Sequence, residues 1–148
     1  MQQKSLRIAA IIAMLLAGVA LQGCGTSGGP APAGIRLAPT TQPTPCNVGI
    51  CTIKVTVSNC EGQGGITVDK PYLSVSVARN MRWVIDTPGY EFAPNGIQFD
   101  PPNAQFVVQP SLTTSEFRIR NLKTQAGDFY YYINVDGCRQ ADPWIKNN

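Results

Sequence analysis

From Cys51 onward, apolar and polar positions alternate along the chain. In "CTIKVTVSN", Ile53, Val55 and Val57 fall on one face and Lys54, Thr56 and Ser58 on the other. "YLSVSVAR" repeats the pattern with Leu73, Val75 and Val77, and "MRWVID" continues it with Trp83 and Ile85. "NGIQFD" and "AQFVVQ" are shorter runs of the same kind. "SEFRIRNL" sets Phe117 and Ile119 against Arg118 and Arg120. "DFYYYINV" sets Phe129, Tyr131, Ile133 and Val135 against Tyr130, Tyr132 and Asn134. A period of two over segments of this length marks half-buried strands. Turn-forming clusters separate the runs: Gln63-Gly64-Gly65, Asp86-Thr87-Pro88-Gly89, Pro94-Asn95-Gly96, Asp100-Pro101-Pro102 and Ala126-Gly127-Asp128. No helical periodicity competes with them. The spacing predicts an all-β domain over residues 46–148, a small Greek-key β-sandwich with one core.

Ahead of that domain the texture is different. Gly25 to Pro45 contains five prolines and four glycines with a single charge, Arg36. Such a stretch buries too little apolar surface to offset its ordering entropy. It reads as a tether over residues 24–45, with a reach of at most about 70 Å. Further upstream, Lys4 and Arg7 precede 14 uncharged apolar or small residues, Ile8 to Leu21. That run falls short of the roughly 20 residues a membrane span needs. A basic start, a short apolar middle and a small-residue exit make an export signal over residues 1–23.

The exit, Leu21-Gln22-Gly23-Cys24, resembles the lipobox of bacterial lipoproteins. The resemblance implies lipidation of the Cys24 thiol, cleavage between Gly23 and Cys24, and acylation of the new amino terminus. Several acyl chains on one residue make a firm membrane anchor where a single chain does not. Gly25 follows, where an aspartate would imply retention in the inner membrane of a Gram-negative cell. The family therefore implies a lipid-anchored cell-envelope protein at the outer membrane, facing the periplasm or the cell surface.

If Cys24 carries lipid, four cysteines remain: Cys46, Cys51, Cys60 and Cys138. An even number in an exported chain predicts two disulfides. An extended strand from Cys51 to Cys60 would hold those two roughly 30 Å apart, far beyond the roughly 7 Å between alpha carbons that a disulfide allows. The favoured pairing is Cys46–Cys51 as a local loop and Cys60–Cys138 as a long closure, which sets the two strand ends on one side of the domain.

Two stretches together, "VARNMRWVID" and "AGDFYYYINVDGC…DPWI", resemble cupredoxin-like domains, from Ile66 to Ile145. An immunoglobulin-like topology accounts for the same strands. The copper site of the cupredoxin family does not carry over. It needs two imidazoles and a thiolate, and the chain has no histidine. Cys138, the nearest match to the thiolate, is needed for a disulfide. No metal and no cofactor are expected.

The missing histidine also removes Ser-His-Asp and Cys-His nucleophilic systems and the usual catalytic zinc sites. Of the candidate carboxylates, Asp100 and Asp128 adjoin Pro101 and Gly127, and Asp86 and Glu91 lie two residues from Pro88 and Gly89, where solvated turn residues occur. Outside the leader, ten Lys and Arg face nine Asp and Glu. No run of bases exceeds one residue, so no footprint for nucleic acid is expected. What remains is surface. "TPGYEFAPNGIQF", Thr87 to Phe99, reads as a loop-rich segment carrying Tyr90 and Phe92, and Tyr130 and Tyr132 lie opposite Phe129 and Tyr131. Exposed aromatics of this kind form recognition surfaces; folding down onto the sandwich is their other use, and Trp144 is expected to pin the last strand. The reading is a non-enzymatic envelope lipoprotein with a binding domain and a protein partner. A structural envelope component and an enzyme of unfamiliar type are the other classes left open.

Overall fold

A computed structural model describes residues 39–46, 48–60, 65–140 and 143–148. Every regular element among them is a strand: β1 (Thr44–Pro45), β2 (Cys51–Val57), β3 (Ile66–Val68), β4 (Tyr72–Val75), β5 (Arg79–Ile85), β6 (Phe92–Asp100), β7 (Phe106–Gln109), β8 (Glu116–Asn121), β9 (Gly127–Val135), β10 (Cys138–Gln140) and β11 (Trp144–Asn147). They form two mixed sheets packed face to face, a β-sandwich. Sheet A runs β1-β4-β11-β9-β10, and β6 also pairs with β9; sheet B runs β3-β2-β5-β8-β7. In sheet A, β10 and β11 share one edge of β9 in succession and β6 takes the other, since Tyr130 is paired with both Trp144 and Asp100. Most pairs are antiparallel, but β2 runs parallel to β5, and β4 runs parallel to both β1 and β11. Thr44 and Pro45, the last residues of the expected tether, are already paired with Leu73 and Ser74.

The alternation read from sequence is the alternation of burial. Ile53, Val55, Leu73, Val75, Met81, Trp83, Ile119, Tyr131, Ile133 and Ile145 fill the space between the sheets. Each fully buried aliphatic of this set contributes about 1.5–3 kcal/mol relative to exposure. Rings thread the middle: Phe99 stacks on Phe106 with centroids 3.6 Å apart, and Phe129 meets Phe106 edge-on at 5.2 Å.

Two local expectations need correction. Val77 does not continue the strand of Leu73 and Val75; β4 ends at Val75, and Val77 is 53% exposed where the chain leaves sheet A for sheet B. The Thr87–Phe99 segment is not a loop throughout, because Phe92–Asp100 is a strand whose register shifts between Phe92 and Ile97. Asn95-Gly96 therefore lies inside a bulged strand rather than in a turn. A bulge absorbs extra residues and bends the strand without ending its pairing.

Candidate functional site

Cys24 and the whole leader lie outside the described residues. The other four cysteines fall into two pairs at disulfide distance: Cys46 with Cys51, alpha carbons 5.8 Å apart, and Cys60 with Cys138, 4.8 Å apart. The second pair joins the chain just past β2 to the start of β10, and so ties sheet B to sheet A at one end of the domain.

The expected aromatic surface divides in two. Phe92 is half-buried and meets Phe117 edge-on, ring centroids 5.9 Å apart, as part of the inter-sheet core. Tyr90 also leans on that core, at the rim of an open cleft of ≈ 440 Å³ floored by Ile85 and edged by Asp86, Glu91, Thr114 and Ser115. The Asp86 carboxyl there is held below the usual aspartate range, first by the hydrogen bond that the Thr56 hydroxyl donates to it at 2.9 Å and then by Lys54. Such surface contacts fix the loop more than they create chemistry.

Tyr130 and Tyr132 belong to a separate cluster on the outer face of sheet A, with Tyr72 and Trp144. Tyr130 is not an outward, available ring: it is 4% exposed, wedged between Tyr132 at 5.0 Å and Trp144 at 5.4 Å. Two carboxylates hold the cluster's hydroxyls. Tyr72 donates to Asp128 at 2.8 Å, and Tyr132 donates to Asp100 at 3.0 Å. Burial, reinforced by the Asp128 carboxylate that accepts its hydrogen bond, pushes the Tyr72 phenol up to about 12. Trp144, packed here at the start of β11, helps fix the last strand against β9.

One end of the sandwich carries an amide knot that sequence reading did not single out. Asn147 donates to Gln105 Oε1 at 2.9 Å and to the Gln125 carbonyl at 3.1 Å, while Asn121 donates to Asn147 at 2.8 Å. Asn121 and Asn147 sit at inward positions of β8 and β11, where the alternation calls for apolar residues. Buried amides cost little only when paired. The Asn121 and Asn147 side chains pair with each other and with Gln105 Oε1, while Gln105 Nε2 has no partner among the described residues. The contacts bind the loops around 105 and 125 to the last strand.

A second feature was invisible in sequence. The register brings Thr52, Arg82, Arg118 and Gln109 into one cross-strand row on the outer face of sheet B, and Asn80, Arg120 and Val107 into the row beside it. Three bases from distant stretches of the chain, Arg82, Arg118 and Arg120, thus gather on one face. Arg82 donates to Thr52 at 3.1 Å and lies 3.8 Å from Glu116; Arg118 pairs with the other oxygen of the same carboxylate. Arg120 donates to Asn80 at 3.2 Å. Between these rows lies a hollow of ≈ 220 Å³ lined by Arg82, Arg118, Asn80 and Gln109, with Ile50 and Pro110 at its rim. The only sequence signal was the outward phase of Arg118 and Arg120; which strands would stand beside them is not a local property.

The residues present do not fit the copper of the cupredoxin family. Cys138 is spent on Cys60, and no imidazole exists in the chain to complete a copper set. The chain matches no protein-family model, and no curated protein matches it in sequence.

Proposed function

We propose that this chain is a bacterial cell-envelope lipoprotein that presents a non-catalytic β-sandwich as a binding module for a protein partner. Residues 1–23 are the export signal, Cys24 carries the lipid at the outer membrane, and the Pro- and Gly-rich segment to Pro45 holds the domain off the membrane. The observation that carries this reading is the Leu21-Gln22-Gly23-Cys24 exit at the end of an uncharged run behind two bases. The pairing of all four remaining cysteines at disulfide distance supports it, because disulfides belong to oxidising compartments. The parallel pairing of β2 with β5 and of β4 with β11 favours a cupredoxin-like arrangement over the antiparallel sheets of an immunoglobulin domain.

Three of the carboxylates that sequence offered as catalytic candidates are engaged as scaffolding. Asp86 is held by Thr56 and Lys54, Asp100 by Tyr132, and Asp128 by Tyr72. That arrangement supports a binding role over a catalytic one. The test is Cys24→Ala in the full chain, followed by cell fractionation and a label for covalent lipid. The native chain should sediment with membranes and carry the label; the variant should lose both. A Cys24→Ala chain that remains membrane-bound would sink the anchor assignment.

A further inference from the structure

The outer strand of sheet B, β7, is bare by the standards of an edge. Edge strands usually discourage pairing with lysines, inward charges or bulges. The residues of β7, Phe106-Val107-Val108-Gln109, include no charge and run in unbroken register with β8. Val107 and Val108 are 40% and 59% exposed, and Leu112, just past Pro110, is 77% exposed. Among the described residues β7 pairs with β8 alone. The exposed side-chain amide of Gln109 donates to the Val107 and Val108 carbonyls at 3.3 and 3.2 Å. Successive carbonyls of a strand point to opposite edges, so of the two only the Val108 carbonyl faces the open side, where an incoming backbone would replace the contact.

Beside that edge stands the arginine face. Arg118 and Arg120 project from β8, one strand in, and Arg82 from β5, the next. A single carboxylate, Glu116, serves both Arg82 and Arg118. Arg82 Nε is buried and has no acceptor among the described residues. Arg82 and Arg118 line a hollow large enough for a carboxylate side chain, and guanidinium groups bind carboxylates through paired, charge-assisted hydrogen bonds.

From these observations we infer that β7 docks an extended acidic segment of a partner polypeptide, which adds to sheet B as a further strand. The inference rests on the reading of the domain as a binding module and names its surface and the chemistry of its partner. The added backbone would lie about 4.8 Å from β7 and about 10 Å from β8. Facing arginine and glutamate side chains together close the second distance. Alternate residues of the segment would face opposite sides of the sheet. One set meets Val108 on its inner side; the other, acidic, reaches over Val107 and Gln109 toward Arg118 and Arg120. A second copy of the chain is disfavoured as occupant, because antiparallel pairing of two β7 edges would bring two arginine faces together.

The experiment is site-specific photo-crosslinking in cells that make the full chain from its own leader. A benzoyl-phenylalanine is placed at Val108 and, in a separate strain, at Tyr90, and the cross-linked partner peptides are sequenced. The expected result is a cross-link from position 108 to a segment that alternates apolar and acidic residues. Its yield should fall at least ~10-fold in Arg118→Glu/Arg120→Glu and recover when the partner's acids are changed to lysine. Arg118→Gln/Arg120→Gln, with unfolding midpoints measured on every variant, separates lost charge from lost fold. A position-108 cross-link to a segment without acids, to another copy of this chain, or indifferent to the arginine substitutions would overturn the inference. Cross-links from position 90 alone would overturn it while leaving the binding module intact. Cross-links from neither position would remove both.

Discussion

The indole Nε1 of Trp83 donates a hydrogen bond to the Tyr131 hydroxyl at 3.2 Å, and this contact joins the two sheets through the middle of the core. Trp83 belongs to β5 in sheet B and Tyr131 to β9 in sheet A, and both are fully buried, their rings edge-on at 5.5 Å. A buried indole N–H has no access to water, and among the described residues this oxygen is the acceptor that compensates it. Tyr131→Phe keeps the ring and removes the acceptor. The expected cost is ~1–3 kcal/mol, the desolvation penalty of one orphaned donor, read as a drop in the urea midpoint at constant slope. A loss under ~0.5 kcal/mol would mean that the indole finds another acceptor, and the bridge between sheets would lose its significance.

The two cysteine pairs should contribute unequally. Their sequence separations are 5 for Cys46–Cys51 and 78 for Cys60–Cys138. In the chain-entropy account, closing the longer loop stabilises by about 4.5 kcal/mol and closing the shorter by about 2 kcal/mol. Cys60→Ser/Cys138→Ser should therefore destabilise roughly twice as much as Cys46→Ser/Cys51→Ser, measured by chemical denaturation without reductant. Equal losses would indicate that the Cys46–Cys51 loop pins β1 and β2 by more than loop closure. Peptide mapping under non-reducing conditions checks the pairing itself.

The strands, the inward positions and the cysteine pairing were legible because each depends on neighbours in sequence or on the stiffness of one strand. Ile53, Val55, Trp83, Ile133 and Val135 all stand where a period of two puts them. What was not legible depends on which strand lies beside which. The Arg82–Arg118 row requires β5 and β8 to pair in one register, although 36 positions separate the two residues in the numbering. Tyr130 looked outward because it is outward from the sandwich core; the side chains of Tyr72, Tyr132 and Trp144, supplied by three stretches of chain, bury it on the far face. Asn121 and Asn147 broke the apolar pattern at inward positions, a signal that a buried polar pairing was needed there.

The Tyr72–Asp128 pair gives the fold an alkaline signature. The phenol is neutral when protonated, and its proton is held more tightly in the folded chain, at about 12, than at the ordinary value of 10.0. A folded-state value raised above the unfolded one supports stability fully below pH 10 and loses that support as the pH climbs to about 12. The gap in melting temperature between the native chain and Tyr72→Phe should therefore shrink as the pH rises through that window. A gap that stays constant or widens would contradict the assignment of the raised phenol to Tyr72.

Gly96 lies inside the register shift of β6, packed closely against Phe92 and Phe117. A methyl group added at Gly96 would stand 2.7 Å from Cδ2 of Phe117 and 2.9 Å from Cβ of Phe92. Both neighbours are part of the core contact that seats Phe92, and neither is the loose end of a long side chain. Gly96→Ala must displace one ring or shift the strand, at a cost of about 1–3 kcal/mol for an overpacked site. The displacement should be local. Amide exchange should quicken over 90–97, where β6 already slips against β9, and stay unchanged at Met81, Trp83 and Ile119 in the middle of sheet B. Because Tyr90 rims the neighbouring cleft and the arginine face lies on the other side of sheet B, this variant also separates the two surfaces. A partner that docks at β7 should still bind Gly96→Ala, whereas one that recognises the Tyr90 cleft should be lost, and a binding measurement on the folded variant decides between them.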